Sequence, residues 1–467
     1  MAEASVETPI EEEYPHLTAF FQESPLAYAG YRISELKKRG SGISETGEIP
    51  LVTTPVFPFV LAVYVLYTRV VYLLRRASGR TRVDEVSGDT HVFSMTSSHG
   101  YRTQSFLEVA RELQKRGEEV RLLCSPAATD ERSSWEREGL PTTTHRELHG
   151  HVGPVAFVRD LISSGRLTVR LWNHDDIYRS FESGYQYYNF ILLEHVKRES
   201  VRALTVNDPS VHTFSAMPYL VDSTVPEKLF AYQHGLQMAN YDRCLSLPFF
   251  TPMHLFIWGD AWRERFERAL HSASTVNVVG SPWYDYLASR RGDREPRHDV
   301  LFIGGSHGLT DPDVTAQYER LLGETVETCE RGGYSLAIKL HPLESADWYE
   351  RRDWGEYVEP FDDIDDALLS TRVAVTNTST AFVESAVLSV PVVVADLFEK
   401  GLADLAPVDH IRFTEGPDVG GAVRSAIDGD EFRSEGSRPL VVLGESRERI
   451  VDEVLDQSGS SRSEQPP

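Results

Sequence analysis

The chain has 467 residues, with 71 acidic against 47 basic side chains and a formal net charge of −24. Only seven of the basic residues are lysine; a surface so acidic and Lys-poor suits a protein kept soluble at high salt, as in halophiles, and argues against general nucleic-acid binding, which needs a basic footprint. Cys124, Cys244 and Cys329 are widely spaced and form no CxxC or Cys-His pattern, so neither a zinc site nor a disulfide framework is indicated and the expected setting is reducing and cytoplasmic.

Residues 1–50 are polar and acidic, with Glu11, Glu12 and Glu13 near the start, unlike a secretory signal. Residues 51–85 are an apolar appendage with a basic flank. Residues 51–74 approach the roughly 20 apolar residues that span a bilayer, Tyr64, Tyr67 and Tyr72 suit an interface, and Arg75, Arg76, Arg80 and Arg82 follow. Against a clean span stand Pro55, Pro58 and Arg69, the last costing at least about 2.5 kcal/mol inside hydrocarbon unless it snorkels. Three placements are open: an anchor in the membrane with its basic flank on the cytoplasmic side, a helix lying in the interface, and a helix packed on the protein itself.

From residue 86 the pattern turns α/β. Residues 91–95 read as a strand, S-S-H-G as a loop, and 101–116 as a helix with Phe106, Val109, Ala110 and Leu113 on one face. Gly117 stops it and 119–124 form the next strand. This is the opening unit of a doubly wound sheet. A helix is expected over 177–199, its aromatic set Tyr178, Phe181, Tyr185 and Tyr188 at core spacing, then strands over 203–206, 229–233, 254–258 and 276–279 with a helix over 261–270. Residues 86–288 thus form a first Rossmann-like domain, and 289–298, charged and without apolar period, a linker. Residues 299–457 repeat the grammar: a strand over 299–303, the loop G-G-S-H-G, a helix over 315–331, strands at 336–340 and 373–376, and a closing helix over 445–455. Residues 458–467, rich in Ser, Gln and Pro, read as a disordered tail.

The richest stretch for chemistry runs over residues 335–397. Two buried parallel strands end there in polar loops. After the first come Lys339, His341 and Pro342; after the second, Asn377, Thr378, Ser379 and Thr380 open a helix that includes Glu384. Hydroxyls and free N–H groups at a helix start, beside Lys and His, suit a nucleotide phosphate. The same hydroxyls serve equally to cap the helix. Glu384 is placed to accept ribose hydroxyls or to act in a capping box. Ser306, His307 and Gly308, in the glycine loop, are further phosphate candidates. The acidic run Asp362, Asp363, Asp365 and Asp366 lies where it would begin a helix, in a chain acidic throughout, and is not read as a metal site. No cofactor or metal is required.

The blocks S-S-H-G-Y-R-T-Q-S-F at 97–106, Y-Q-H-G at 232–235, W-G-D at 258–260, G-S-P-W-Y-D at 280–285, G-G-S-H-G at 304–308, K-L-H-P at 339–342 and T-S-T-A-F-V-E at 378–384 resemble glycosyltransferases of the GT-B fold. More narrowly, they resemble surface-polysaccharide enzymes such as the bacterial polysialyltransferases and the CDP-glycerol glycerophosphotransferases. The resemblance covers about residues 90–430 and implies two doubly wound, Rossmann-like parallel-sheet domains facing a cleft. It departs from that group in having Asn-Thr-Ser-Thr where a Ser-Ser pair is usual.

The function it implies is transfer of a sugar from a nucleotide-activated donor to a surface-glycan or lipid-linked acceptor at the inner membrane face. The second domain would hold the donor through Ser306, His307, Gly308, Lys339, His341, Thr378, Ser379, Thr380 and Glu384. A histidine of the first domain would be the base, His99 or its rival His234. Other readings are a nucleotide-activated polyol-phosphate transferase, a non-hydrolysing UDP-sugar 2-epimerase and a non-catalytic glycan-binding module. The epimerase would need a His-Arg-x-Glu-Asn block in the second domain; the chain's His145-Arg146 lies in the first.

Overall fold

The computed structural model describes residues 90–95, 100–124, 132–144, 202–206, 229–233, 253–269, 274–305, 312–341, 344–377, 379–397, 402–405, 407–414, 416–429, 432 and 436–460, with Val70 and Leu74. Twelve strands among these form two parallel sheets. The first sheet holds β1 (Thr90–Met95), β2 (Glu119–Cys124), β3 (Thr142–Thr144), β4 (Ala203–Val206), β5 (Leu229–Tyr232), β6 (His254–Ile257) and β7 (Thr275–Val278), in the order β3-β2-β1-β4-β5-β6-β7. The second holds β8 (His298–Ile303), β9 (Leu336–Lys339), β10 (Thr371–Thr376), β11 (Val392–Ala395) and β12 (Ile411–Thr414), in the order β12-β11-β10-β8-β9. Each sheet starts in its interior, grows one way and then reverses past its first strand. The reversals lie between β1 and β4 and between β8 and β10, and sheets of this kind place ligands at the carboxyl ends beside such a point. The expectation of two doubly wound sheets is met.

The helices are α1 (Gly100–Lys115), α2 (Arg132–Arg137), α3 (Arg263–Ala269), α4 (Pro282–Ser289), α5 (Pro312–Gly332), α6 (Ala346–Glu350), α7 (Ile364–Leu369), α8 (Ala381–Val387), α9 (Gly420–Ile427) and α10 (Ser446–Ser460). The strands β8 to β11 of the second sheet carry continuous apolar runs, V-L-F-I, L-A-I, V-A-V and V-V-V-A, because both faces are covered there. Val300, Phe302, Ile338, Val373 and Val375 pack with Tyr318, Leu321 and Leu322 of α5. The alternate residues Leu301, Ile303, Ala337 and Ala374 join the cluster of Phe382 and Val383 from α8, which continues into the first sheet through Leu287 of α4.

Three boundaries differ from expectation. The linker is anchored: residues 291–293 form a 3-10 turn, Arg291 Nε donates to Val387 O at 2.5 Å, and Arg294 Nη2 donates to Arg372 O at 2.9 Å. Arg290 pairs with Asp365 and Asp366, so the acidic run of 362–366 holds the linker by charge. The closing helix α10 runs to Ser460 rather than giving way to a tail at 458, because Ser458 is buried and bonds Val454 O at 2.5 Å. α10 packs on α1, with an Arg116–Asp452 ion pair. Finally β3, β11, β12, α2, α4, α6 and α9 were not foreseen; Thr-Thr-Thr and Ile-Arg-Phe-Thr are too short to show a period.

Val70 and Leu74 are helical and exposed, and the rest of 51–85 lies outside the described residues, as does the expected helix over 177–199. Among the described residues no helix is long and apolar enough to cross a membrane.

His91, at the start of β1, carries a pH dependence. It is buried with Nε2 3.2 Å from Glu118 Oε2. Burial lowers its pKa to about 4, and Arg202 adds to this, against the attraction of Glu118. Unfolded, the ring takes its proton near 6.5. Between pH 6.5 and 4 the unfolded chain therefore binds more protons, and stability falls as pH drops through that window, by up to about 3 kcal/mol. Urea midpoints measured from pH 7 to 4 should show this slope, and His91→Gln should flatten it.

Candidate functional site

Register brings three strand ends of the second sheet into one row. Ile303 is paired with Lys339 on one side and with Thr376 on the other. The residues that follow, Gly304 and Gly305 after β8, Leu340 and His341 after β9, and Asn377 after β10, therefore share one edge, beside the reversal point. Gly304 N–H donates to Lys339 O at 2.9 Å, which ties β8 to β9 as the strands part.

Lys339 sits on the face of β9 that Ala337 also occupies, since alternate residues share a face. It is half-buried and makes no ion pair among the described residues. An ammonium held there with no carboxylate partner among the described residues, in a chain with 24 excess negative charges, is a ready partner for an anion.

The glycines have a cause that the sequence did not reveal. A Cβ on Gly304 would stand 2.1 Å from Glu344 Oε2, and one on Gly305 would stand 2.3 Å from Asn377 Oδ1. The close approach is thus made by the protein's own side chains. Glu344 accepts from His341 N–H at 2.8 Å, from Tyr349 Oη at 3.1 Å and from Tyr318 Oη at 3.3 Å, while Tyr318 Oη accepts from Gly305 N–H at 3.4 Å. Burial pushes the Glu344 carboxyl above the usual range in spite of these donors, and pushes both tyrosines up as well. The network clamps the ends of β8 and β9 through α5 and α6. It also occupies the N–H groups of Gly305 and His341, so neither of these two is left for a phosphate.

Beyond β10, Ser379 N–H donates to Asn377 O at 2.7 Å, and Ser379 Oγ accepts from Ala381 N–H at 3.3 Å. Ser379 therefore caps the start of α8, while the Thr380 side chain makes no cap bond. Glu384 is 3% exposed, buried along α8 with Phe382, Val383 and Ser385. Asn377 is 1% exposed, and its Oδ1 has no hydrogen-bond partner among the described residues.

The structure thus brings Lys339, His341, Ser379 and Thr380 to one sheet edge and adds Asn377, Glu344, Tyr318 and Tyr349. His99, His234, Ser306, His307, Gly308 and Thr378 lie outside the described residues. Asn377 and Glu344 stood within the motif stretches and could have been found there. Tyr318 and Tyr349 lie in helices whose apolar spacing reads as core. Among the described residues no group of three or more His, Cys, Asp or Glu side chains is placed to hold a metal ion.

The first-domain blocks meet as well, for a structural reason. Tyr232 Oη donates to Gly280 O at 2.9 Å, and Gln233 Oε1 accepts from Trp258 N–H at 3.0 Å. Trp258 meets Trp262 and Tyr284 edge to face. These groups seat residues 439–449: Trp262 Nε1 donates to Leu440 O at 2.9 Å, Asp285 accepts from the N–H groups of Gly444 and Ser446, and Arg449 Nε donates to Val279 O at 3.0 Å. Y-Q-H-G, W-G-D and G-S-P-W-Y-D hold the returning C-terminal segment against the ends of β5, β6 and β7.

No family profile and no curated protein matches the chain in sequence. Among solved structures it is similar to the UDP-GlcNAc 2-epimerase of Methanocaldococcus jannaschii in complex with UDP-GlcNAc and UDP, at 12% identity and a TM-score of 0.49, over 78% of this chain and 98% of that one. It is similar to MurG of Acinetobacter baumannii at 13% identity and a TM-score of 0.42, over 79% and 99%. It is also similar to the wall teichoic acid polymerase TagF at 11% identity and a TM-score of 0.42, over 86% and 100%. At such identity these are likenesses in chain path, and the chemistry has to rest on residues of this chain.

Proposed function

We propose that the chain is a GT-B glycosyltransferase that moves a sugar from a nucleotide-activated donor to a surface-glycan or lipid-linked acceptor. The observation that carries this reading is Lys339, half-buried and without an ion pair among the described residues, level with the Gly304–Gly305 turn at the reversal point of the second sheet.

In the reaction the acceptor hydroxyl attacks the activated carbon while the nucleotide departs with the bonding pair. His99 or His234 takes the hydroxyl proton. Lys339 balances the charge that grows on the departing phosphate, His341 stands beside it, and Ser379 and Thr380 supply hydroxyls from α8 to the nucleotide. Glu384 is the candidate for the ribose hydroxyls, and Ser306, His307, Gly308 and Thr378 complete the donor set. These groups do the work without a divalent ion, so turnover is expected to persist in EDTA. The segment 51–85, apolar and then arginine-rich, suits an anionic cytoplasmic leaflet, which puts the enzyme where a lipid-linked acceptor is found. The acidic composition suits a halophile's cytoplasm.

The test is consumption of a panel of UDP-, CDP-, GDP- and CMP-activated sugars and of CDP-glycerol by the full chain, with and without membrane extract as acceptor. Consumption that needs the extract is the expected result. Interconversion of UDP-GlcNAc without acceptor would replace this reading by the epimerase, consumption of CDP-glycerol alone by the polyol-phosphate transferase, and glycan binding without consumption by the non-catalytic module.

A further inference from the structure

We infer that Asn377 contacts the nucleoside part of the donor, its carboxamide oxygen accepting a hydroxyl or base N–H proton, and that the phosphates lie on the other side of the glycine turn. This rests on the donor site proposed above and adds to it an order for the ligand across the sheet.

Asn377 is 1% exposed, yet Oδ1 finds no partner among the described residues. A buried amide acceptor left unpaired costs about 1–3 kcal/mol, so such an atom calls for an explanation. Its place supplies one. The oxygen stands at the carboxyl end of β10 and against Gly305 at the end of β8, between the two strands where the sheet order reverses. The neighbouring backbone donors are engaged elsewhere: Gly304 N–H on Lys339 O, Gly305 N–H on Tyr318 Oη, His341 N–H on Glu344. Ser379 N–H is turned onto Asn377's own carbonyl. None of these is left to answer Oδ1, and a ligand in the crevice brings the missing proton.

The chemistry of that ligand group follows. A nucleotide's phosphate oxygens are acceptors, and two acceptors repel. Ribose hydroxyls and base N–H groups are donors and fit. Lys339, which makes no ion pair among the described residues, is on β9, on the opposite side of β8 from β10. Phosphates over β9 and nucleoside over β10 satisfy both groups at once.

The experiment is calorimetry on the full chain with CDP, UDP, GDP and inorganic pyrophosphate as probes. Asn377→Ala is expected to weaken the preferred nucleotide at least about tenfold, to leave pyrophosphate within about twofold, and to leave the ligand-free melting temperature unchanged or raised, since an orphaned acceptor has gone. Asn377→Leu, with no polar atom, should behave alike if the alanine variant is unstable. A melting temperature that falls while nucleotide affinity holds would show Asn377 to be structural only. Pyrophosphate affinity falling in parallel with nucleotide affinity would show that it faces phosphate. Either result overturns the inference, whereas a wild-type chain that binds none of the nucleotides overturns the donor site itself.

Discussion

Lys339→Ala is expected to lower donor turnover by about 10²–10³-fold while leaving the fold intact, which is the largest catalytic effect of any described residue. The size is that of removing one preorganised charge from a developing negative oxygen in a partly water-excluded site. The intact fold follows from the surroundings: Lys339 makes no ion pair among the described residues, so its loss strands no buried carboxylate. Lys339→Met keeps the stem and should be as inactive as alanine. Lys339→Arg should recover little, because a planar fork does not replace a compact ammonium. Raising salt should weaken pyrophosphate binding to the wild type and change the variant less. Turnover of the best donor within about threefold of wild type would remove Lys339 from the site.

The largest effect on stability is expected at Gly280, far from that lysine. Gly280 has φ +81°, and a Cβ there would lie 2.1 Å from Val442 O and 2.3 Å from Ser446 Oγ. Left-handed backbone costs a residue with a Cβ about 1–2 kcal/mol, and forcing backbone apart in a packed region adds about 1–3 kcal/mol. Gly280→Ala should therefore lose about 2–5 kcal/mol and loosen residues 439–449. Gly444→Ala is the control, with φ +78° and open space around it; only the conformational part should be lost. Denaturant midpoints together with limited proteolysis of the C-terminal segment would check both, and equal losses for the two variants would refute the packing argument.

The second sheet was nearly legible from the sequence. A parallel sheet covered on both faces demands unbroken apolar runs, and V-L-F-I, L-A-I and V-A-V are such runs. They end where polar loops must begin, so Lys339, His341 and the N-T-S-T run could be placed at strand ends. The role of G-G-S-H-G could not be read the same way. The loop was read as a phosphate candidate through Ser306, His307 and Gly308, whereas Gly304 and Gly305 make room for Glu344 and Asn377, which come from 40 and 72 residues further along the chain.

The first-domain motifs teach the same point. Gly280 in G-S-P-W-Y-D looks like a loop glycine near chemistry, and in the fold it admits the carbonyl of Val442. The acidic run at 362–366 looks like solvated charge, and Asp365 is buried beneath Arg290.

By itself, then, the sequence determined the alternation of strands and helices, the parallel sense of both sheets and the strand ends at which polar chemistry appears, because these follow from local periodicity and from the need to cover both faces of a buried sheet. Only the tertiary structure decided that Ile303, Lys339 and Thr376 stand level, that Glu344 binds the glycine turn through Tyr318 and Tyr349, and that Asn377 is left with an unanswered oxygen. Those facts depend on strand register and on contacts between distant segments, and no local pattern of residue types encodes which buried polar atom will find a partner.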